Sequence, residues 1–432
     1  MEPNATADIH TPSFREALAY WARLGWVNFG GPAGQIALLH RDLVERRRWL
    51  AEDRFLHALD VCMLLPGPEA QQLATYIGWQ LHGVRGGVAA GALFVLPSVA
   101  ILLVLSWLYM AWGEVPAVVA VLDGIKPVVL AIVAAAVVRI GRRALRSPLH
   151  AALALAALAG IAILDVPFPA IVAGAALLGG LAARWTPEPI GAAPPGRDAA
   201  EGPAVAPRAG RRALALTAAG LALWLMPAVA LFANRERWGF HLDLYLFFTK
   251  AAFVTFGGAY AVLAYVAQMA TAAGWLTREA MVDGLALAET TPGPLIIVLQ
   301  FVGFAAGWNH AGGDAAVASA ILAALVTTWA TFLPSTLLGL LAGPYVERLE
   351  RLRWARAALG AVTAAVVGVI ASLGLLLGRA VLLPAAAGGR LDLFSVAVAV
   401  LALVGLLRWK LETHWAIAAG AVLGLLRLAI AP

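Results

Sequence analysis

Residues 86–113 read GGVAAGALFVLPSVAILLVLSWLYMAWG and contain no Asp, Glu, Lys or Arg. A bilayer core about 30 Å thick takes roughly 20 apolar residues to cross as helix, so this stretch alone reads as a membrane span. Residues 213–234, 315–346 and 357–378 are free of charge in the same way. Around them the 432-residue chain is 62% hydrophobic and 13% charged, against about 25% charged in an ordinary soluble protein. Too few polar side chains remain to coat a water-facing surface. A soluble globular fold is excluded, and the chain reads as an all-α polytopic membrane protein.

The net charge of +6 admits two explanations, nucleic-acid binding or retention of cytoplasmic loops. Only Lys126, Lys250 and Lys410 are lysine, and the arginines gather at the ends of apolar segments. That is where cytoplasmic loops place them, so no nucleic-acid partner is expected. A single cysteine, Cys62, excludes an internal disulfide framework. The first 13 residues contain Glu2 and Asp8 but no apolar run, so no cleavable signal peptide is expected.

Residues 184–212 interrupt the apolar pattern with six prolines, four glycines and five arginines. Such a composition packs no core and reads as an aqueous linker. On either side the sequence repeats. Phe29-Gly30-Gly31 returns as Phe256-Gly257-Gly258, Trp49-Leu50 as Trp275-Leu276, and Pro66-Gly67-Pro68 as Pro292-Gly293-Pro294. Leu96-Pro97-Ser98 returns as Leu333-Pro334-Ser335, and Ala135-Ala136-Val137-Val138 as Ala364-Ala365-Val366-Val367. Internal repeats build many transporters. The expected organisation is a tail at 1–13, a first repeat at 14–183, the linker at 184–212, a connecting transmembrane helix at 213–233, and a second repeat at 242–430.

Cytoplasmic loops collect Lys and Arg, so basic residues report orientation. Segment 40–54 has five arginines, 111–125 has no basic residue and 139–146 has four arginines. The segments compared with them, 267–280, 344–356 and 368–375, have one, four and none. The opposite alternation predicts inverted-topology repeats, with the helix at 213–233 supplying the odd crossing. If 40–54 lies inside and 111–125 outside, one span at about 87–110 accounts for the change. Residues 55–82, with Pro-Gly-Pro midway, are then expected to enter and turn back as a re-entrant helix pair. Broken backbone is tolerated at that depth only where it is buried in protein or lines a polar cavity. Strict alternation of single spans is the competing arrangement.

Proline has no amide hydrogen and is pre-set for a first helical turn, so Pro32, Pro68 and Pro294 read as the starts of half-helices. Helices beginning after Gly30-Gly31-Pro32, Gly67-Pro68, Gly257-Gly258 and Gly293-Pro294 would present unpaired N–H groups and positive dipole ends near mid-membrane, where they attract anions. One Gly-Pro reads more simply as a kink; four breaks in paired positions read as a site. Glu69, Gln71 and Gln72 follow the first Pro-Gly-Pro, whereas Glu289, Thr290 and Thr291 precede the second. An inverted two-fold would let both sets face one cavity, where amides and hydroxyls donate to oxyanions. Lys250, seven residues before Gly257, is either a substrate contact or an interfacial lysine.

Glu69 and Glu289 are proton-coupling candidates, because an ionised carboxylate repels a dianion and a protonated one does not. Glu69 serves equally well as a helix-dipole partner. Asp60 and Asp283 are weaker candidates of the same kind. Asp123 and Lys126 read as an interfacial pair, and Arg46, Arg47 and Arg48 as topology determinants that also suit anion gathering at a cytoplasmic entrance.

Phe29-Gly30-Gly31-Pro32, Glu45-Arg46-Arg47-Arg48-Trp49-Leu50, LPGPEAQQLATYIG at 65–78, FVTFGGAYAVL at 253–263 and AETTPGPLIIVLQFVG at 288–303 together resemble the chromate transporter (CHR) family in its long-chain, two-domain form. The resemblance runs from about residue 14 to about residue 430. It implies a multi-pass protein of the bacterial inner membrane that exports chromate, confers chromate resistance and meets sulfate as a close analogue. Ala264 stands where the resemblance leads one to expect proline, and Asp60 where it leads one to expect asparagine.

Chromate is a tetrahedral dianion with only acceptor oxygens, suited to helix N-termini, Gln, Thr and Lys. Moving two negative charges outward across about 100 mV, inside negative, releases about 4.6 kcal/mol. Export therefore needs no ATP, and no Gly-rich Lys-Ser/Thr phosphate loop occurs in the sequence. The expected partners are chromate, sulfate, protons and the lipid bilayer, and a homodimer is compatible with the sequence. No cofactor, metal or catalytic residue is expected. His-Glu-x-x-His and Gly-x-Ser-x-Gly are absent and the eight histidines are scattered. Two other classes stay open: a carrier of sulfate, molybdate or an organic anion, and a membrane-embedded enzyme acting on lipid-linked or phosphorylated substrates.

Overall fold

A computed structural model describes residues 9–183, 209–256, 258–341, 352–384 and 388–430. These residues form helices joined by short turns, with no strand among them. The first half runs α1 (Phe14–Val27), α2 (Gly31–His40), a π-helical turn (Arg41–Arg46), α3 (Glu52–Met63), α4 (Glu69–Trp112), α5 (Pro116–Ala144), α6 (Pro148–Ala162) and α7 (Phe168–Ala182). After α8 (Ala209–Ala233) come α9 (Arg235–Val254), α10 (Ala259–Ala272), α11 (Arg278–Glu289) and a 3₁₀ turn (Leu295–Ile297) that feeds α12 (Val298–Ala311). The chain ends with α13 (Ala316–Leu341), α14 (Arg353–Leu382), α15 (Leu393–Arg408) and α16 (Thr413–Ile430).

Among the described residues six helical stretches are long and apolar enough to cross a membrane: Glu69–Trp112, Pro116–Ala144, Leu214–Ala233, Gly313–Leu341, Arg353–Leu382 and Thr413–Ile430. The protein is therefore a multi-pass helical membrane protein. Local chemistry sets several of the helix starts. The Ser13 and Thr277 hydroxyls accept from the Glu16 and Ala280 amides at 3.2 and 3.1 Å, and Pro116 and Pro148 open α5 and α6. Within α4, His82 and Gly83 leave helical geometry, separating a short arm from the apolar span of residues 86–113. The helices α3 and α11 have 12 residues each. At about 18 Å long, each falls well short of the roughly 30 Å hydrocarbon core.

The two halves are interleaved. The long helix α5 of the first half packs against α15 and α16 of the second, while α14 of the second packs against α6 and α7 of the first. Within each half α1 lies on α4 and α9 on α13, and α4 and α13 pack against each other across the halves. In lipid, helices associate through close van der Waals contact between small residues rather than through hydrophobic exclusion. The Gly420-x-x-x-Gly424 face of α16 meets Gly124 of α5 backbone to backbone, and Gly368 of α14 rests on the backbone of Ala154 in α6.

Three expectations change in detail. Pro68 and Pro294 cap their helices from outside instead of occupying the first turn. Residues 368–375 lie within α14, so the missing arginines there belong to a helix interior and not to a loop. The expected linker's last residues, 209–212, already belong to α8; residues 184–208, along with 1–8, Arg348 and Arg351, lie outside the described residues.

Candidate functional site

Four helix beginnings, two from each half, open on one cavity. It is lined by Pro32 of α2, by Pro68, Glu69 and Ala70 at the start of α4, by Gly258 and Ala259 at the start of α10, and by Pro294, Leu295 and Ile296 ahead of α12, with Gln35 beside them. The first amides of a helix have no acceptor within it and carry its positive end. The cavity therefore collects donors and partial positive charge from four directions, with one carboxyl group, that of Glu69, among them. In this conformation it has room for about one water molecule, so an oxyanion enters only if these elements part.

The repeated motifs hold the convergence in place by reaching across the halves. The Gly67 N–H donates to the Thr255 carbonyl at 2.9 Å, and the Gly293 N–H donates to the Asn28 carbonyl at 2.7 Å. Both glycines have positive φ, +128° and +110°, a region that side-chain-bearing residues rarely adopt. A Cβ on Gly67 would come within 2.8 Å of the Ser335 hydroxyl, and one on Gly293 within 2.5 Å of the Ser98 hydroxyl. Each Pro-Gly-Pro thus sits between the residue preceding the other half's Phe-Gly-Gly and the serine of the other half's Leu-Pro-Ser.

The sequence profile of the chromate transporter family matches residues 15–180 and again 242–425. The chain belongs to the chromate transporter family. It is 32% identical over 372 residues to a chromate transport protein of Pseudomonas aeruginosa, covering 85% of this chain and 82% of that protein. To the chromate transport protein of Cupriavidus metallidurans it is 27% identical over 430 residues, covering 98% and 96%. A probable chromate transport protein of Synechococcus elongatus is 28% identical, with 85% of each chain covered. No solved structure matches the chain.

In this chromate transporter family member the sequence-predicted residues divide into those at the cavity and those around it. Pro32, Pro68, Glu69, Gly258 and Pro294 line it. Gly30 and Gly31 form the left-handed turn into α2, while Gly257 lies outside the described residues. Gly67 and Gly293 have their amides engaged across the halves, as above, and are not free to bind a ligand through them.

Of the two polar sets, only Glu69 lines the cavity. Gln71 accepts from Ser335 Oγ and donates to Thr336 Oγ1, both at 2.8 Å, and Gln72 donates to the Pro66 carbonyl at 2.7 Å. Their positions along α4 turn these amides toward α13 and back onto the Pro-Gly-Pro turn, where they brace it. Thr290 and Thr291 donate to the Leu287 carbonyl at 2.7 and 2.8 Å. Glu289 accepts from the Tyr260 hydroxyl at 2.9 Å. Lys250 is exposed on α9 and is not among the cavity residues, and Asp60 is exposed on α3. Arg47 stacks on Tyr20 and Trp49 at 4.9 and 5.1 Å, a packing role beside its contribution to charge.

Two amides escaped the sequence reading. Gln35, 1% exposed, donates to the Gly293 carbonyl, and its Oε1 has no partner among the described residues. Asn28, fully buried, has neither side-chain amide atom partnered among them. The available signals were a lone glutamine inside the otherwise apolar GPAGQIALL and an asparagine directly before Phe29-Gly30-Gly31.

Proposed function

We propose that this chain is a secondary transporter of the bacterial inner membrane that exports chromate, holding the dianion at the four converging helix N-termini. The observation that supports this most directly is the cavity itself, where helix beginnings from both halves meet beside Glu69. Glu69 is the resident anion of a site whose dipoles favour negative charge. An arriving dianion is repelled by the ionised carboxylate, and taking up a proton removes the repulsion. Binding of anion and proton is then coupled at one carboxyl. Glu289, bonded to Tyr260 one residue from the cavity-lining Ala259, is the second carboxyl assigned to that proton in this reading. The short arms on either side of each Pro-Gly-Pro enter the membrane and turn back, and the halves, inverted relative to each other, part on alternate sides. Names borne by relatives in other bacteria support chromate as the cargo, and sulfate, of the same shape and charge, competes for the site.

Uptake of radiolabelled chromate into inside-out vesicles tests this. Saturable, sulfate-sensitive uptake is expected. Glu69→Gln is expected to flatten the pH dependence of uptake while changing apparent affinity by less than about tenfold, or about 1.4 kcal/mol. Folded protein that gives no uptake above empty vesicles overturns the transport assignment, and unaltered pH dependence in the variant overturns the role of Glu69.

A further inference from the structure

Away from the cavity, a second set of ionisable side chains joins the two halves. Lys126 of α5 lies 3.0 Å from Asp123 on its own helix and 3.1 Å from Asp283 on α11. The other Asp283 oxygen accepts from the Tyr109 hydroxyl of α4 at 3.0 Å. The set runs from water inward: the side chain of Asp123 is 46% exposed, that of Lys126 19% and that of Asp283 7%. Tyr109 and Asp123 stand on either side of the turn 113–115 between α4 and α5, which has no basic residue and so reads as the outer side.

We propose that Asp123, Lys126 and Asp283 form a proton-binding site between the halves, with Asp283 as the group that takes the proton from the outer aqueous side. One ammonium between two carboxylates leaves one negative charge uncompensated in a largely buried place, which is costly. A proton on Asp283 cancels that charge, while Lys126 keeps Asp123 as its partner. The groups acting on Asp283 are Lys126 and Asp123 from α5 and Tyr109 from α4, with Glu279 of its own helix acting through Tyr109. A metal cation fits poorly, because Lys126 already occupies the space between the carboxylates and hard cations need about six oxygen ligands. Asp283 also stands six residues before Glu289 on α11, about 9 Å along the helix. Glu289 is bonded to Tyr260 beside the cavity, so α11 carries one ionisable group at each end of the path between outer water and cavity. The site deepens the transport proposal and rests on it for what the proton accompanies.

Infrared difference spectra of the purified full-length protein, taken between acid and alkaline pH without substrate, read the site independently of transport. Wild type is expected to show a titrating carboxyl band that is missing from Asp283→Asn, a variant of the same shape that keeps one acceptor oxygen in place of two. Tyr109→Phe removes a hydrogen bond to the carboxylate, and Lys126→Gln removes its cation. Each is expected to move the band's midpoint to higher pH, the latter by about one unit, a tenfold tighter proton. In vesicles, the ratio of gradient-driven to gradient-free chromate uptake should fall to one in Asp283→Asn. A wild-type set of titrating bands in Asp283→Asn, or unmoved midpoints in both other variants, overturns the site. Wild-type uptake that ignores an imposed pH gradient overturns proton coupling in the transport proposal, and the infrared result then decides the site by itself.

Discussion

A methyl group on Gly293 would fall 2.5 Å from the Ser98 hydroxyl on a backbone at φ +110°. Both the clash and the left-handed conformation count against a side chain there. Gly293→Ala is expected to lower the protein's stability by about 1–3 kcal/mol, read as a drop in thermal midpoint in detergent. A second substitution, Ser98→Gly, should restore only part of the loss, because it relieves the clash and leaves the backbone strained; full restoration would mean that the φ requirement is unimportant. At this scale the sequence was informative about turns and poor on partners. Pro-Gly-Pro announces a break through its own chemistry, but nothing in residues 292–294 tells that Ser98 and Asn28 of the other half complete the seat. Gln71 and Gln72 looked like ligand donors because their polarity is visible in sequence while their acceptors, on α13 and in the preceding turn, are not.

Asp392 shows how one side chain fastens elements. Standing at the N-terminus of α15, it accepts from the Phe394 amide at 3.3 Å, from Ser395 Oγ at 2.7 Å and from Arg427 of α16 at 3.0 Å. Burial pushes its carboxyl up, but the bonds from Ser395 and Arg427 and the arginine's charge outweigh burial and hold it below the ordinary value of 3.8. A carboxyl depressed in the folded state contributes stability that is fully present above its unfolded value and lost as pH falls through the folded one. Asp392→Asn is therefore expected to lower the thermal midpoint at neutral pH, and the gap from wild type should close as pH drops below 3.8. A gap that persists in acid would count against the ionic contribution. Charge-free windows located the apolar part of α4 and most of α8, α13 and α14. They passed over α5, which carries Asp123 and Lys126, and α16, which carries Arg427. A helix admits such charges when another element answers them, as Asp283 answers Lys126 and Asp392 answers Arg427, and the answering residue lies far away in the chain.

For the whole molecule the decisive feature is interleaving. Since α5 is sheathed by α15 and α16 and α14 by α6 and α7, each half supplies the main partners of a long helix of the other. A first half produced alone, ending at residue 183, is expected to accumulate poorly, and the two halves expressed together from separate chains are expected to co-purify through a tag on one of them. A stable, monodisperse first half would contradict this. The paired motifs made a two-part chain evident before any coordinates, because repeats are a property of the string itself. The exchange of helices between the parts was not evident, since Gly124, Gly368 and Gly420 look like any of the chain's 43 glycines until their partners are known.

The interleaving also bears on how the chain is made. At about 5–20 residues per second, residue 353 follows residue 182 out of the ribosome after roughly 10–30 s. Through that interval α6 and α7 wait in the bilayer with their small-residue grooves facing lipid, open to the wrong neighbour. Newly made protein should therefore depend on an insertase or a membrane chaperone to shelter the first half, and slowed translation between the halves should lower yield without altering the finished transporter.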